Sequence, residues 1–443
     1  MKSLLYRLFY LSYNFTQWFE RRFTALGVGV LVCLLISIIV GIDTKKTMAY
    51  QIASFLTAML GIGMMWSWRF SDRFTVSRTL PKFGTVGVSL QYSILVENRT
   101  HKNQIGLKLI ENFADSRPTK AQFTKHLRSF NNKGGFVSLS VTYYRWLKLI
   151  KRDRGATTEA VELPNIEPRS IAKTIVRLNP SRRGIVRLSG VTIARPDPLG
   201  LFNACKTLIL PQSILILPKR YQTPPFELSG VRKAQSGNVS LASSVGDSEE
   251  FMSLRDYRPG DPLRRIHWKS WAKIGKPVVK EEQAEFFVRH ALILDTFQVV
   301  EYSNLLEEAV SVAASFACDF QTQESLLDLM FVGERAYSFT SGRGLGNTEQ
   351  MLEILASVKA CQDKSFETLT STVIDRLSLL SGCICVLIAW NEERKKLVRY
   401  LQGLKVPTLV LVVSETEPEA RFQFNNLHWL ELGKIQEGLM TIS

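Results

Sequence analysis

Two long runs without a charged side chain lie near the N-terminus and constrain the fold more than any other feature. The first extends from Phe23 to Ile42 and the second from Thr47 to Trp68. About 20 apolar residues, each adding about 1.5 Å to a helix, match the hydrocarbon thickness of a bilayer. We therefore predict a transmembrane hairpin over residues 23–69, with spans at 23–42 and 47–68. Two buried core helices are the alternative, but the length of the runs and their charged flanks favour a membrane.

Cations flank the outer ends of both predicted spans. They are Lys2, Arg7, Arg21 and Arg22 before the first span, Arg69, Arg73, Arg78 and Lys82 after the second, and only Lys45 and Lys46 in the turn between them. Because cytoplasmic flanks carry the excess of Lys and Arg, both long ends are predicted to be cytoplasmic. We expect a multi-pass protein of the cell inner (plasma) membrane. The six cysteines show no C-x-x-C spacing, which suits buried free thiols in a reducing compartment.

Residues 1–22 carry an amphipathic pattern. Apolar side chains recur there at three- and four-residue spacing, at Leu4, Leu5, Leu8, Leu11, Phe15, Trp18 and Phe19. Such a stripe is typical of a helix lying in the membrane interface. The same pattern fits the non-membrane end of a long first helix, and the sequence leaves both interpretations open.

The net charge of +16 is distributed unevenly along the chain. Residues 1–69 carry +5, residues 70–290 carry +19 and residues 291–443 carry −8. An excess of basic charge indicates a polyanionic partner, either nucleic acid or an anionic membrane surface. The basic region follows a predicted span directly, and no nucleic-acid-binding module is recognisable. We expect the lipid bilayer, and no nucleic acid, among the partners.

The fold class that the pattern predicts is multi-domain. Residues 70–218 contain short β-branched runs separated by turns, which predict an antiparallel β-sandwich. The predicted strands are 86–96, 135–144, 170–178, 184–188 and 208–210 running on to 214–217. Residues 287–443 alternate strands (291–294, 327–332, 383–388, 408–413) with helices (305–320, 348–358, 368–380, 392–404). This alternation predicts an α/β domain with a mainly parallel sheet.

Residues 219–286 hold the densest polar and aromatic cluster, between Gly246 and Lys273. Pro259-Gly260-Asp261 is predicted to form a turn, because Pro presets φ and Gly tolerates a positive φ. Four arginines surround it, at positions 255, 258, 264 and 265. They form either an internal ion network with nearby carboxylates or an exposed recognition surface.

This run resembles the signature of the domain of unknown function 58 family. The matching positions are Glu250, Phe251, Leu254, Arg255, Tyr257, Pro259, Gly260, Asp261, Arg265, Ile266, Trp268 and Ala272, with Lys273 in place of the usual Arg. The resemblance implies a membrane-anchored bacterial protein with a von Willebrand factor type A-like C-terminal domain. It also implies association with a MoxR-type AAA+ ATPase or a transglutaminase-like protein in envelope or stress functions.

Type A domains hold Mg²⁺ with Asp-x-Ser-x-Ser after the first strand, where hydroxyls and a carboxylate supply oxygen ligands. The corresponding run here begins with Asp295 and Thr296, but Phe297 and Val299 stand where the serines would be. We therefore expect no metal at this degenerate site, and no cofactor elsewhere.

Our hypothesis is a non-enzymatic, membrane-anchored cytoplasmic binding or scaffold protein that presents residues 250–273 to its partner. The alternative is a hydrolase acting on an envelope precursor, with the same motif as its active site. His267 lies next to Trp268 and near Asp261 in the motif, but no matched Ser or Cys nucleophile accompanies it. An enzyme requires these side chains to converge in a cleft, whereas a docking module requires an exposed surface.

Overall fold

The computed structural model describes residues 2–41, 47–68, 70, 73–120, 122–124, 139–224, 251–261, 263, 266–282, 288–319, 326–342, 348–418, 424 and 426–442. The chain divides into two compact units, Met1–Lys219 and Arg220–Ser443.

Three helices open the first unit: α1 (Lys2–Arg22), α2 (Ala25–Val40) and α3 (Thr47–Trp68). Thr24 separates α1 from α2, because its backbone is extended and its hydroxyl accepts a hydrogen bond from the Gly27 amide at 3.1 Å. Residues 2–22 therefore form a helix that is separate from α2. One described helix, the 20 residues Met48–Ser67, is long and apolar enough to span a membrane. The predicted turn at residues 43–46 lies outside the described residues.

Nine strands follow: β1 (Phe74–Thr79), β2 (Phe83–Thr85), β3 (Leu90–Asn98), β4 (Lys108–Phe113), β5 (Ala156–Thr158), β6 (Val161–Glu162), β7 (Ile171–Pro180), β8 (Gly184–Pro196) and β9 (Asn203–Leu217). They form two sheets, in the orders β1-β3-β7-β5 and β2-β9-β8-β4-β6. Pairing is antiparallel except between β2 and β9. Both sheets contribute to one core, in which Ile94, Val176 and Ile193 are fully buried. The observed architecture is therefore a sandwich of two sheets.

Three strand predictions differ from the structure. Residues 139–144 were expected in a strand but begin helix α4 (Leu139–Arg154), while residues 135–138 lie outside the described part. Tyr143, Trp146 and Ile150 recur at helical spacing and pack with α1, so tertiary packing overrides the β propensity of the run. Strand β3 starts only at Leu90, since Gly87 has φ +78° in the preceding turn. Strand β9 continues through Pro211, where the pairing with β8 shifts register at a bulge.

The second unit begins with a two-stranded sheet of β10 (Phe251–Asp256) and β11 (Val278–Glu282), connected through the short helix α5 (Trp268–Ile274). Its remaining elements are β12 (Arg289–Leu294), α6 (Asn304–Asp319), β13 (Leu326–Val332), β14 (Ala336–Ser341), α7 (Thr348–Ser357), α8 (Glu367–Ile374), β15 (Gly382–Leu387), α9 (Glu392–Gly403), β16 (Thr408–Ser414), β17 (Leu427–Glu431) and α10 (Ile435–Met440). The helix predicted at 368–380 ends early and is followed by a 3₁₀ turn at Leu377–Leu379.

The six-stranded sheet has the order β14-β13-β12-β15-β16-β17 and is parallel except for β14. The mainly parallel sheet predicted for this region is therefore present. Strands β13 and β15 are buried along their whole length, as expected for a sheet covered on both faces. The strand order reverses between β12 and β15. The carboxyl ends of these two strands meet there, at the position where open α/β sheets bind ligands.

Candidate functional site

The signature motif folds into a small module around β10, α5 and β11. Arg255 of β10 is paired with Val279 of β11, and Ile266 forms a bridge to the same valine. The His267 amide donates to the Val278 carbonyl at 2.9 Å. Val278, Val279 and Ile266 are buried, and they form the interior on which the motif's polar turn rests.

The turn is held by an ion pair between Arg255 and Asp261. The guanidinium donates to both carboxylate oxygens, at 2.7 and 2.8 Å, and the Arg258 amide adds a third donor at 2.9 Å. The hydrogen bond from Arg255 is the main reason that the pKa of Asp261 falls to about 2. Gly260 has φ +110°, a conformation that favours glycine at this corner. Arg255 is therefore committed to an internal partner that fixes the turn.

The module exposes both apolar and cationic side chains. Trp268 is 63% exposed and Ile274 is 56% exposed, although both lie on α5. The Trp268 and Trp271 rings stack with their centroids 5.1 Å apart. We call Trp268, Trp271 and Ile274 the tryptophan patch. Exposed cations accompany it at Arg258, Lys269, Lys273 and Lys276.

The structure places the predicted motif residues in three groups. Glu250 and Arg265 lie outside the described residues, as does the side chain of Phe251. Arg255, Tyr257, Pro259, Gly260 and Asp261 form the clamped turn, where the Tyr257 amide donates to the Pro277 carbonyl at 2.9 Å. Ile266 is interior, while Trp268, Ala272 and Lys273 lie exposed on α5.

One contact in the module was missed by sequence reasoning. His267 Nδ1 lies 2.6 Å from the Ser270 hydroxyl oxygen, so His267 has a hydroxyl neighbour three residues along the chain. His267 is the N-cap residue of α5, and its side chain makes no capping hydrogen bond to the helix backbone. Asp261 is bound to Arg255 rather than to His267, so the three side chains do not form a relay.

The second candidate site is the switch point of the six-stranded sheet. Asp295 follows β12 and is completely buried. Arg394, on the first turns of α9, donates to both of its carboxylate oxygens, through Nε at 3.0 Å and Nη2 at 3.2 Å. The amides of Phe297 and Ile388 donate to the same carboxylate at 3.0 and 3.3 Å. Burial raises the pKa of Asp295, and Arg394 opposes that rise.

These surroundings do not fit the Mg²⁺ that type A domains hold at the corresponding position. The Arg394 guanidinium already occupies the carboxylate, and it stacks 4.4 Å from the Phe366 ring centroid. The Thr296 hydroxyl donates to the Val332 carbonyl, and Phe297, which packs on Phe366, has no side-chain oxygen. Among the residues that the structure describes, no three His, Cys, Asp or Glu side chains are grouped so that they could hold a metal ion.

A shallow cavity of about 420 Å³ lies in the first unit, lined in part by Arg78, Lys82 and Gln212. Arg78 is bound to Glu111 at 2.8 Å, and both side chains are fully buried between the sheets. The Arg78 charge is therefore compensated inside the sandwich.

Comparison with known proteins matches part of the second unit to a family. Residues 253–380 match the family described as "Protein of unknown function DUF58". The "Uncharacterized protein YeaD" of Bacillus subtilis (strain 168) is 26% identical over 176 residues, which cover 39% of this chain and 42% of that protein. The chain therefore spans less than half of that relative's length. The family match includes the tryptophan patch and Asp295 and ends before Arg394.

A solved structure is also similar over part of the chain. The "ASH / PapD-like domain of human CEP192 (PapD-like domain 7)" is 11% identical, and the match covers 32% of this chain and 84% of that one. The TM-score is 0.17, so this likeness carries no structural inference.

Proposed function

We propose that this chain is a membrane-anchored cytoplasmic scaffold whose signature module docks a partner protein. The observation that carries the proposal is the exposed tryptophan patch beside a turn that Arg255 and Asp261 hold rigid. Tryptophan is enriched among the residues that dominate binding energy at protein interfaces. A preformed surface also avoids the cost of ordering a loop on binding.

The partner that we propose is a MoxR-type AAA+ ATPase, with a transglutaminase-like protein as the second candidate. Both follow from the family resemblance. The module adds a chemical requirement, because its apolar patch is accompanied by exposed cations at positions 258, 269, 273 and 276. The partner should offer an apolar pocket bordered by carboxylates.

The anchor that we propose is the hairpin of α2 and α3, with both long ends on the cytoplasmic side of the inner membrane. Met48–Ser67 supports the second span. Helix α2 has 16 residues, or about 24 Å, and its large aliphatic side chains such as Leu35 and Ile39 are exposed. The flanking cations support the orientation.

We also propose that the six-stranded domain is von Willebrand factor type A-like. Counted within the domain, its strand order is 3-2-1-4-5-6, with strand 3 antiparallel at the edge. This is a doubly wound order with its switch point between strands 1 and 4. In the proposed scaffold this domain carries the module and has no metal-dependent role.

Affinity recovery from detergent extracts of native membranes tests the docking proposal. Trp268→Ala should reduce recovery of the ATPase about thirtyfold or more, the effect expected of a hot-spot residue worth about 2 kcal/mol. Ile171→Ala is the matched control, because Ile171 is also exposed, at 64%, but belongs to the sandwich. Equal recovery with Trp268→Ala and wild type would refute docking through the patch.

Arginine variants report on the turn instead of the contact surface. Arg255→Ala, alone or with Arg265→Ala, removes the clamp on Asp261. We expect it to weaken recovery less than Trp268→Ala does, since Arg255 faces inward to its carboxylate partner.

The contact between His267 and Ser270 supports one alternative function, a hydrolase acting on an envelope precursor. In that case Ser270 would be the nucleophile and His267 its base. A fluorophosphonate probe would then label the wild-type chain and leave Ser270→Ala unlabelled. Absence of labelling in both would exclude this serine as a nucleophile toward the probe.

A further inference from the structure

Helix α1 has two apolar faces, and only one of them is covered within the described structure. The covered face carries Phe9, which is 2% exposed and packs with Trp146 of α4. Its ring lies 5.1 Å from the Tyr143 ring, and Tyr13 meets Trp146 edge-on at 5.6 Å. This aromatic cluster attaches α1 firmly to the first unit.

The opposite face carries a stripe of large apolar side chains. Leu8, Leu11, Phe15 and Trp18 are exposed by 49, 66, 63 and 46%. Their spacing of three, four and three residues places them in one row, and about 100° per residue puts that row across the helix from Phe9. The aromatic cluster therefore cannot cover the stripe, which needs an apolar environment from elsewhere.

The end of α1 connects the stripe to the apolar helices. Phe23 stacks on Phe19 with centroids 4.3 Å apart and meets the Phe202 ring at 4.7 Å. The Thr24 amide donates to the Leu201 carbonyl at 3.1 Å. These contacts fix the point at which α1 stops and α2 begins. Leu26, two residues beyond Thr24, is already 68% exposed, so one apolar surface passes directly into the next.

The composition of α1 points to a lipid interface as the environment that covers the stripe. Its apolar row contains Trp and Phe, the residues enriched where hydrocarbon meets headgroups. Cations flank the row, at Arg7 near its start and at Arg21 and Arg22 at its end, and these suit anionic headgroups.

We infer that α1 lies flat in the cytoplasmic headgroup region, with Leu8, Leu11, Phe15 and Trp18 immersed in the bilayer. This inference rests on the proposed anchoring by α2 and α3. The flat helix would be a second lipid contact, joined to the sandwich by the aromatic cluster. It would restrict the sandwich from tilting about the hairpin.

Site-directed spin labelling of the full chain in vesicles of equal parts phosphatidylcholine and phosphatidylglycerol tests the inference. Nitroxides are placed at Leu11→Cys and Phe15→Cys, on the stripe, and at Thr16→Cys as the control. Thr16 is also solvent-exposed but lies away from the row. Phe55→Cys on α3 reports on the anchor itself. The background replaces the accessible thiols by alanine, at Cys33, Cys205 and Cys318, and retains the buried Cys361, Cys383 and Cys385.

We expect oxygen to relax the stripe nitroxides several times more than a water-soluble nickel complex does, at a depth of about 5–10 Å. The Thr16 nitroxide should show the reverse. A stripe that is as open to nickel as Thr16, or that is shielded from both reagents by a protein, would overturn the inference while Phe55 remains in lipid. Lipid exposure of Thr16 as well would indicate a spanning helix and would also overturn it. A water-exposed Phe55 would refute the anchoring proposal itself.

Discussion

Replacing Arg394 by methionine removes the only side-chain cation that contacts the buried carboxylate of Asp295 in the described structure. Methionine keeps much of the aliphatic volume and the contact with Phe366. It deletes two charge-assisted hydrogen bonds, at 3.0 and 3.2 Å, and leaves only the amides of Phe297 and Ile388 on the carboxylate. Methionine also loses the Arg394 hydrogen bonds to Glu393, Asn391 and the Phe297 carbonyl, so the charge on Asp295 is one part of the perturbation.

The expected cost is about 3 to 5 kcal/mol, the range for breaking a buried ion pair by removing one partner. Asp295 is 0% exposed and Arg394 is 5% exposed, so solvent screening gives little relief. The double variant Asp295→Asn with Arg394→Met removes the uncompensated charge as well. It should recover a large part of the loss, because two neutral groups are cheaper to bury than one unpaired ion.

Hydrogen exchange of the β12 and β15 amides in the full chain measures this loss locally. A destabilisation of about 4 kcal/mol corresponds to roughly a thousandfold faster exchange through opening of these strands. Arg399→Met is the matched control on the same helix, because Arg399 pairs with Glu392 at 3.5 Å at the surface and is 56% exposed. That pair should contribute about 1 kcal/mol at most. Equal exchange rates in the two variants would refute the argument.

The pH dependence provides a second check on Arg394→Met. Burial raises the pKa of Asp295, and the variant loses the guanidinium that opposes this rise. A carboxyl group whose folded pKa is raised destabilises the fold while it is ionised and no longer does so once it is protonated. The loss of stability in Arg394→Met should therefore shrink as pH falls. A deficit that is constant from neutral to acidic pH would show that packing, and not charge, causes it.

Three further predictions follow from individual contacts. Added Mg²⁺ should leave the thermal midpoint of the wild-type chain unchanged, because Arg394 already binds both oxygens of Asp295; an upward shift would contradict this. Gly27→Ala should lower the midpoint, because its Cβ would lie 2.1 Å from the Leu201 carbonyl oxygen, whereas Gly29→Ala meets nothing within 4 Å and should not lower it. Burial lowers the pKa of His290 to about 4, so stability should fall by up to about 3 kcal/mol as pH drops from about 6.5 to about 4. His290→Asn should flatten that pH dependence, and an unchanged slope would assign it to other groups.

Periodicity predicted the fold where one pattern dominated. Strands β12, β13, β15 and β16 are continuous apolar runs with helical segments between them, and such runs indicate a parallel sheet without tertiary information. Helix α4 was predicted as a strand, because Val141, Thr142, Tyr143 and Tyr144 have high β propensity. Its helical state depends on packing with Phe9, which is 134 positions from Tyr143 in the chain. Non-local packing of this kind leaves no local signal.

At the candidate sites, too, local features were predictable and non-local contacts were not. The Pro259-Gly260-Asp261 turn was predictable because proline and glycine determine backbone geometry locally. The sequence left open whether Arg255 belongs to an internal ion network or to an exposed recognition surface. Sequence spacing cannot determine which carboxylate a guanidinium reaches. Arg394 was missed entirely, as it lies 99 positions from Asp295. The only available signal was Asn391, whose side chain caps α9 and thereby places Arg394 one turn into the helix.

The different roles of Arg394 and Arg255 favour the tryptophan patch over the switch point as the binding site for a partner. A ligand that needed Asp295 or Arg394 would first have to break their pair, and its binding energy would be reduced by that cost of about 3 to 5 kcal/mol. Binding at the patch leaves the Arg255 pair intact, because Trp268 and Ile274 already face outward and the turn beside them is fixed. Recognition through the patch therefore requires no rearrangement of a buried charge. This energetic difference is the physical reason to test Trp268 before Asp295.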